Sequence, residues 1–228
     1  MPYLIPVLIL LLALYAPQFW AQHTFRRYAK ERRDIPGSGA ELARHLLDRF
    51  DMTHIQVERT HAGEDHYDPQ TRTLRLGADN FNHHSLTAIA VAAHEVGHAI
   101  QHHRNEPLLS LRGRLLDIAS RFQKLGSASL LLMPVIMLLS RSPLIAGILI
   151  LLGLASMFIT TLVHLVTLPV ELDASFGKAL PLLLQGEYIN PEDEAAVRKI
   201  LGAAAWTYVA ASLASLLNVW RWLRVFRR

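Results

Sequence analysis

The chain of 228 residues contains no cysteine. This absence excludes a disulfide framework, a thiol nucleophile and every zinc site that needs sulfur ligands. Charged side chains are also scarce, at 18% of the residues against about 25% in an average soluble domain. Apolar residues make up 51%, which is too much buriable surface for a disordered tail. The chain does contain 12 histidines, and these are the obvious source of metal ligands.

The net charge is +4 with histidine neutral, and the sequence pI is about 9.6. A basic balance points either to nucleic acid or to an anionic membrane surface. The sequence has no basic patch interleaved with aromatic residues, so we do not expect a nucleic-acid partner. Four long apolar stretches favour the lipid bilayer instead, and the basic residues then flank membrane spans. These stretches cover residues 3–20, 125–139, 144–168 and 200–219.

The first apolar stretch, residues 3–20, has no charged side chain and would span roughly 27 Å as a helix, close to a hydrocarbon core. No basic residue precedes it and no small-residue cleavage site follows it, which argues against a signal peptide. The second and third stretches are separated by Arg141–Pro143 and predict a helical hairpin. A buried helix pair in a soluble core is the alternative for these two. The fourth stretch is rich in alanine, which suits close helix packing in lipid.

The distribution of arginine and lysine predicts the orientation in the membrane. Basic clusters at residues 26–33 and 112–124 follow the first stretch and precede the second. By the positive-inside rule both clusters face the cytoplasm, so the polar middle of the chain lies there and the amino terminus lies outside. The arginines at the carboxyl terminus disagree, because a fourth complete span would place them outside. The topology of the fourth stretch therefore stays open.

The polar middle, roughly residues 26–121, predicts a small mixed domain. Leucine and phenylalanine recur at helical spacing over residues 40–50, which predicts a short amphipathic helix. Polar and apolar residues alternate over 55–57 and again over 73–76, which predicts a small β-hairpin or meander. The predicted fold class is therefore mainly α, with a small β-hairpin or meander and integral membrane helices.

A long helix over Leu86–His103, with Ser85 as its N-cap, carries the chemistry. It contains His94-Glu95-Val96-Gly97-His98, and residues four apart on a helix lie about 40° apart in rotation, so both imidazoles can converge on one ion. In catalytic sites zinc takes three protein ligands plus a water molecule. Glu95 lies beside this face, where it can act as the general base toward that water. The pattern predicts zinc-dependent peptide hydrolysis.

The third ligand must come from elsewhere in the chain. The extended histidine motif is absent, because Gln101 and Arg104 stand where its glycine and third histidine would be. Glu171 fits well, since it follows the third apolar stretch, where a carboxylate is costly and usually functional. The residues alone leave other candidates open, namely His102, His103, His164 and Asp173.

Several segments together resemble one known family. They are His94–Gln101 (HEVGHAIQ), Asp65–Pro69 (DHYDP), Leu165–Ser175 (LVTLPVELDAS) and residues 205–211 (AWTYVAA). In these segments, and in the order of its apolar stretches, nearly the whole chain resembles the YugP-like neutral zinc metallopeptidases, which are bacterial membrane proteins.

The resemblance implies a minimal glutamate-zincin catalytic domain joined to membrane helices. It implies that one zinc ion is held by His94, His98 and Glu171, and that Glu95 is catalytic. Protein or peptide substrates would be cleaved near the surface of the bacterial cell membrane. Related glutamate-zincins often carry an acid four residues after the ligand glutamate, and this sequence has Ser175 there.

The remaining site residues are less determined by the sequence. A group that stabilises the developing oxyanion is expected, and Tyr208 and His66 are the candidates. Asp173 is a candidate for orienting an imidazole by accepting its second N–H. The alternating segment Thr73–Leu76 could offer an edge strand to an extended peptide.

We expect five parts in the chain: an N-terminal transmembrane helix (1–22), the catalytic region (23–121), a transmembrane hairpin (122–168), the third-ligand segment (169–199), and a C-terminal membrane helix with a basic tail (200–228). The alternative function is a non-enzymatic membrane adaptor with a structural zinc site. That site would be closed, with His102 or Asp173 as a fourth ligand. An open site is favoured because Glu95 has no evident role otherwise.

Overall fold

Helices make up most of the protein, and one small sheet lies among them. A computed structural model describes residues 4–140, 142–207 and 209. The elements in chain order are α1 (Leu4–Tyr28), α2 (Gly39–Arg49), β1 (Gln56–Thr60), β2 (His66–Asp68), β3 (Thr73–Gly77), α3 (Ala78–Asn82), α4 (Leu86–His103), α5 (Pro107–Ser140), α6 (Pro143–Leu172), a π-helix (Asp173–Ala179), α7 (Leu180–Gln185), a 3-10 turn (Pro191–Asp193) and α8 (194–207). The prediction of a mainly helical protein with a small β element is confirmed.

The short helix α2 begins at a complete capping box. The Ser38 hydroxyl accepts a hydrogen bond from the Glu41 backbone N–H at 3.3 Å, and the Glu41 carboxylate accepts the Ser38 N–H at 2.8 Å. Leu42, Leu46 and Leu47 are buried, and α2 packs against α4. The amphipathic helix predicted over residues 40–50 is therefore confirmed, with its first residue at Gly39.

The three strands lie in the order β1–β3–β2. β2 and β3 form an antiparallel hairpin, with Tyr67 opposite Leu74, but β2 lies outside the two segments from which a hairpin or meander was predicted. β1 runs parallel to β3 with Val57 opposite Leu74, so the sheet is not a simple meander. The segment Thr73–Leu76 forms the central strand rather than an edge. Its side chains Leu74 and Leu76 are fully buried, as expected for a strand paired on both sides.

Helix α4 lies at the centre of the packing. The Ser85 hydroxyl caps it by accepting the Ala88 N–H at 3.2 Å, and the helix ends at His103, so both predicted ends are confirmed. α4 contacts α2, the sheet and the π-helix. At Gly97 the contact is very close, because a Cβ there would lie 2.7 Å from the Ala174 carbonyl oxygen. This approach brings the segment after α6 onto the face of α4 that carries the histidines.

Helices α5 and α6 pack along each other and meet at the predicted turn, where α5 ends at Ser140 and α6 begins at Pro143. Both helices are longer than the apolar stretches from which they were predicted. α5 begins at Pro107, before the expected start of the hairpin at residue 122. α6 continues to Leu172, past its expected end at residue 168. α1 likewise continues to Tyr28, because its last turns pack on α4, where the Thr87 hydroxyl donates to the Phe25 carbonyl at 2.9 Å.

Within the described part of the chain, one helical stretch has the length and apolar composition needed to cross a membrane, Phe158–Gln185. It overlaps the end of the predicted span 144–168. The predicted spans 3–20 and 125–139 fall on α1 and α5. Most of the fourth, 200–219, lies outside the described residues, and so does Tyr208.

Candidate metal centre

Two helices bring three side chains with metal-ligating atoms together. His94 and His98 lie one turn apart on α4, and Glu171 lies in the last turn of α6. Glu171 Oε2 is 3.1 Å from His94 Nε2 and 3.4 Å from His98 Nε2. One ligating atom from each of the three residues lies within 4.8 Å of the others. The side chains of His94, His98 and Glu171 are only 12%, 10% and 3% exposed, so the site is enclosed. Its ligating atoms are close enough together to contact a single ion.

Gln101 determines which nitrogen of His98 is available to a metal. Its amide nitrogen donates to the Val170 carbonyl at 2.9 Å and to Asp173 Oδ2 at 2.8 Å, which directs the amide oxygen toward His98 Nδ1, 2.9 Å away. An amide oxygen only accepts hydrogen bonds, so His98 Nδ1 carries the proton. The lone pair of His98 Nε2 therefore faces Glu171, which is the form of histidine that binds zinc.

Ser175 holds the second imidazole. Its hydroxyl lies 3.0 Å from His94 Nδ1, and its side chain is fully buried. Ser175 stands four residues after Glu171, the position at which the sequence resemblance led us to expect an acid. A hydroxyl can accept the Nδ1–H of His94 as a carboxylate would, without adding a negative charge. Ser175 therefore keeps an orienting contact on His94.

Asp173 was the candidate for orienting an imidazole. Its carboxylate accepts a hydrogen bond from the Gln101 amide rather than from a histidine. It also forms an ion pair with Lys178, a buried lysine that pairs on its other side with Glu106 at 3.0 Å. The chain of contacts runs from Lys178 through Asp173 and Gln101 to His98. It ties the π-helix to α4 directly behind the candidate ligands.

Glu95 lies beside the three candidate ligands and is buried, with 7% of its surface exposed. Burial raises the pKa of this carboxyl to about 7, the interaction with His94 opposes the shift, and the negative charge of Glu171 adds to it. The backbone N–H of Tyr67, in β2, donates to the Glu95 carboxyl. A carboxyl with this pKa can both take up and release a proton near neutral pH.

A cleft of about 490 Å³ leads to these residues. One wall is β2 with the turn after it, and the opposite wall is the first turns of α5. The α5 wall presents a single helical face to the cleft, made of Leu109, Arg112, Gly113, Leu116 and neighbouring residues. Arg112 Nη1 lies 3.2 Å from Glu171 Oε1, the carboxylate oxygen that the histidines do not contact.

The structure thus brings His94, Glu95, His98 and Glu171 together and separates the other candidates. His66 lines the cleft, but its Nδ1 lies 2.7 Å from the Glu64 carbonyl and its Nε2 lies 3.3 Å from Arg75. Tyr208 lies outside the described residues.

Three residues of the site were not identified from the sequence. Gln101 and Ser175 were noted only as departures from known motifs, and Arg112 only as part of a basic cluster. A buried amide one turn after His98, on the helix that carries the ligands, is the signal that could have identified Gln101. For Arg112 the sequence holds no comparable signal, because its partner Glu171 lies on another helix.

Other histidines have different partners. His102 Nδ1 lies 2.9 Å from the Tyr67 hydroxyl, and the two rings are in contact at the edge of the cleft. In the described residues, the group able to hold a metal therefore consists of three side chains, two imidazoles and one carboxylate. Nitrogen and oxygen donors in this number fit zinc with an open position.

Comparisons with known proteins agree with this donor set. A family model described as "Putative neutral zinc metallopeptidase" matches residues 3–227. A curated relative from Bacillus subtilis (strain 168), described as "Putative membrane protease YugP", is 36% identical over 224 residues, which cover 96% of this chain and 96% of the relative. No solved structure matches the chain.

Proposed function

Because the chain belongs to this family of neutral zinc metallopeptidases, we propose that it is a membrane-embedded zinc metalloendopeptidase with Glu95 as the general base. The observation that carries the proposal is the convergence of His94, His98 and Glu171 beside a buried carboxyl at the end of a cleft. Its substrates are proteins or peptides, and it acts near the membrane surface.

In this mechanism His94, His98 and Glu171 would hold one zinc ion. When bound, zinc would polarise the substrate carbonyl and favour ionisation of water near neutral pH. Glu95 takes the proton from the attacking water and then passes it to the leaving amine. Gln101 and Ser175 keep both imidazoles in the orientation that ligation needs.

The alternative is a non-enzymatic membrane adaptor with a structural zinc site. It would need a fourth protein ligand to close the site. Of the residues considered for that role, His102 is engaged with Tyr67, and Asp173 with Gln101 and Lys178. These contacts favour an open site and therefore the enzyme.

The strand β2 is the best candidate for pairing with an extended substrate. It is an edge strand of the sheet and lines the cleft, whereas Thr73–Leu76 is central. Backbone pairing at such an edge recognises the peptide main chain rather than particular side chains. The opposite wall adds the apolar side chains of Leu109 and Leu116. We therefore expect broad specificity with a preference for extended, partly apolar segments.

We further propose that α1 and the α5–α6 hairpin anchor the protein in the bacterial cell membrane. One side of α6 exposes large apolar side chains at helical spacing, which suits contact with lipid, and these are Leu144, Ile148, Leu151 and Phe158. The relative is described as a membrane protease, and α6 leads directly to Glu171. The five-part organisation, with the catalytic region facing the cytoplasm, belongs to this proposal.

The experiment that tests the function compares the detergent-purified wild type with Glu95→Gln. Zinc per chain is measured by mass spectrometry, and proteolysis is measured on an unstructured protein. We expect one zinc in both proteins and a loss of hydrolysis of about 10²–10⁴-fold in the variant, the usual contribution of a general base. Glu192→Gln, an exposed position on the 3-10 turn, is the matched control and should behave as wild type.

Three other results would contradict the proposal or favour the adaptor. Full activity in Glu95→Gln would disprove the proposed mechanism. Zinc in both proteins without cleavage by the wild type would favour the adaptor. An absence of zinc from both would contradict the ligand assignment.

A further inference from the structure

The carboxylate of Glu171 is divided between two sets of partners. Oε2 faces the imidazoles, at 3.1 Å from His94 and 3.4 Å from His98. Oε1 faces Arg112, at 3.2 Å from Nη1. The same side chain therefore offers one oxygen to a metal and gives the other to a guanidinium.

The position of Arg112 follows from the way α5 leaves α4. The two helices are joined by three residues, and the Glu106 N–H donates to the Gln101 carbonyl at 3.0 Å. Glu106 also pairs with Lys178 at 3.0 Å, which ties the start of α5 to the π-helix. These contacts hold the first turns of α5 over the cleft, with Arg112 directed at Glu171.

The surroundings of the guanidinium indicate that Glu171 determines its placement. Among the described residues, Arg112 Nε is buried and has no hydrogen-bond partner. Leaving a buried donor unpaired is unfavourable, so another contact must compensate for it. In the described contacts that compensation is the ion pair with Glu171. Arginine keeps its charge at every working pH, so this contact does not depend on titration of the guanidinium.

Carboxylates bind metal ions through one oxygen or through both. A catalytic zinc needs a coordination position that the protein leaves open. If Oε1 of Glu171 were free, it could turn toward the ion and occupy that position. Because Arg112 engages Oε1, only Oε2 remains for the ion.

On the basis of the proposed function, we propose that Arg112 is a positioning residue that limits Glu171 to one ligating oxygen and so keeps the site open for substrate beside Glu95. Arg112 acts through Glu171, and its effect is on the number of ligands around the metal. This role differs from that of an oxyanion-stabilising group, because Arg112 need not touch the substrate.

The test uses the full-length protein in detergent, with Arg112→Met and Arg112→Lys. Methionine keeps much of the apolar stem but removes the charge and the hydrogen bonds, and lysine restores a point charge without the planar fork. The exposed Arg114, on the same helix but outside the cleft lining, gives the matched control Arg114→Met.

The principal readout is the visible absorption spectrum of the cobalt-substituted protein, because the intensity of the cobalt bands falls when a further ligand is added. We expect Arg112→Met to bind cobalt and zinc at one ion per chain, with weaker absorption than the wild type. Its kcat should fall about 10–100-fold, as for other groups that orient ligands, with KM little changed. Arg112→Lys should lie between the two, and Arg114→Met should match the wild type.

A wild-type cobalt spectrum in Arg112→Met would overturn the proposal, and so would a rise in KM with unchanged kcat, since that would make Arg112 a substrate-binding group. Loss of the metal from both variants, with the fold retained by circular dichroism, would also overturn it. If the wild type binds zinc but does not hydrolyse peptides, the proposed function fails, while the cobalt spectra still decide the role of Arg112.

Discussion

Each histidine of the candidate site is oriented by a neighbouring side chain, and the two neighbours differ in their hydrogen-bonding chemistry. Gln101 offers His98 a carbonyl oxygen, which fixes the proton on Nδ1. Ser175 offers His94 a hydroxyl, which can accept or donate. The site therefore uses uncharged groups to orient both imidazoles. Neither of these orienting groups adds a negative charge beside the candidate ligands.

We expect Gln101→Ala to weaken zinc binding about 10–100-fold, because outer hydrogen bonds of this kind orient ligands and select their protonated nitrogen. The change would also remove the hydrogen bonds that the Val170 carbonyl and the Asp173 carboxylate accept from this amide. The measurement is a competition titration with a zinc chelator. Gln56→Ala, at an exposed position of β1, serves as control. Equal zinc affinity in Gln101→Ala and wild type would show that His98 needs no such partner.

At the scale of single residues, the sequence predicts site residues that lie close together in the chain, and it misses contacts between distant segments. His94, Glu95 and His98 share one helical turn and could be identified from spacing. Gln101 lies on the same helix, but its partners Val170 and Asp173 are 69 and 72 residues away. No pattern within α4 reveals which amide will be fixed by another helix.

The contact between α4 and the π-helix is the element-level feature on which the site depends. The helix α6 ends at Leu172 and continues as the π-helix over Asp173–Ala179, which lies against α4. Gly97 permits the approach, because a side chain there would meet the Ala174 backbone. Glu171 and Ser175 flank this contact, so the distance between the two helices determines the distance between the candidate ligands.

Gly97→Ala should therefore damage both stability and metal binding. The added Cβ would lie 2.7 Å from the Ala174 carbonyl oxygen, and such overpacking costs about 1–3 kcal/mol. We expect a lower melting temperature in detergent and weaker zinc binding than in the wild type. Gly202→Ala is the control, because among the described residues its Cβ would meet Phe176 at an ordinary 3.8 Å. If Gly97→Ala kept the wild-type melting temperature and zinc affinity, the close contact would not be what positions Glu171.

Elements with strong local signals were predicted well. α2 has its capping box and α4 has Ser85, and both were predicted within a residue of their ends. The parallel pairing of β1 with β3 was not predicted, because alternation identifies a strand but not its neighbour. The early start of α5 at Pro107 was also missed, since its first turns mix leucines with arginines and a glycine and lie over the cleft rather than in an apolar stretch.

At the scale of the whole molecule, one helix connects the two environments that the sequence predicts. α6 begins with an apolar, exposed face at Leu144 and ends at the buried Glu171. The polar region between α1 and α5 closes over that end of α6 and supplies His94 and His98. In our proposal the catalytic region therefore lies at one surface of the bilayer. The proposal places it on the cytoplasmic side, on the basis of the basic residues that flank the predicted spans.

The orientation can be tested directly, because the chain has no cysteine. A single cysteine at Thr53, an exposed position before β1 in the catalytic region, gives one labelling site. If the catalytic region faces the cytoplasm, a membrane-impermeant maleimide should label Thr53→Cys only after the cells are permeabilised. The wild type should remain unlabelled in both conditions. Labelling of intact cells would place the catalytic region outside, and the positive-inside rule would then fail for the basic clusters at residues 26–33 and 112–124 rather than for the arginines at the carboxyl terminus.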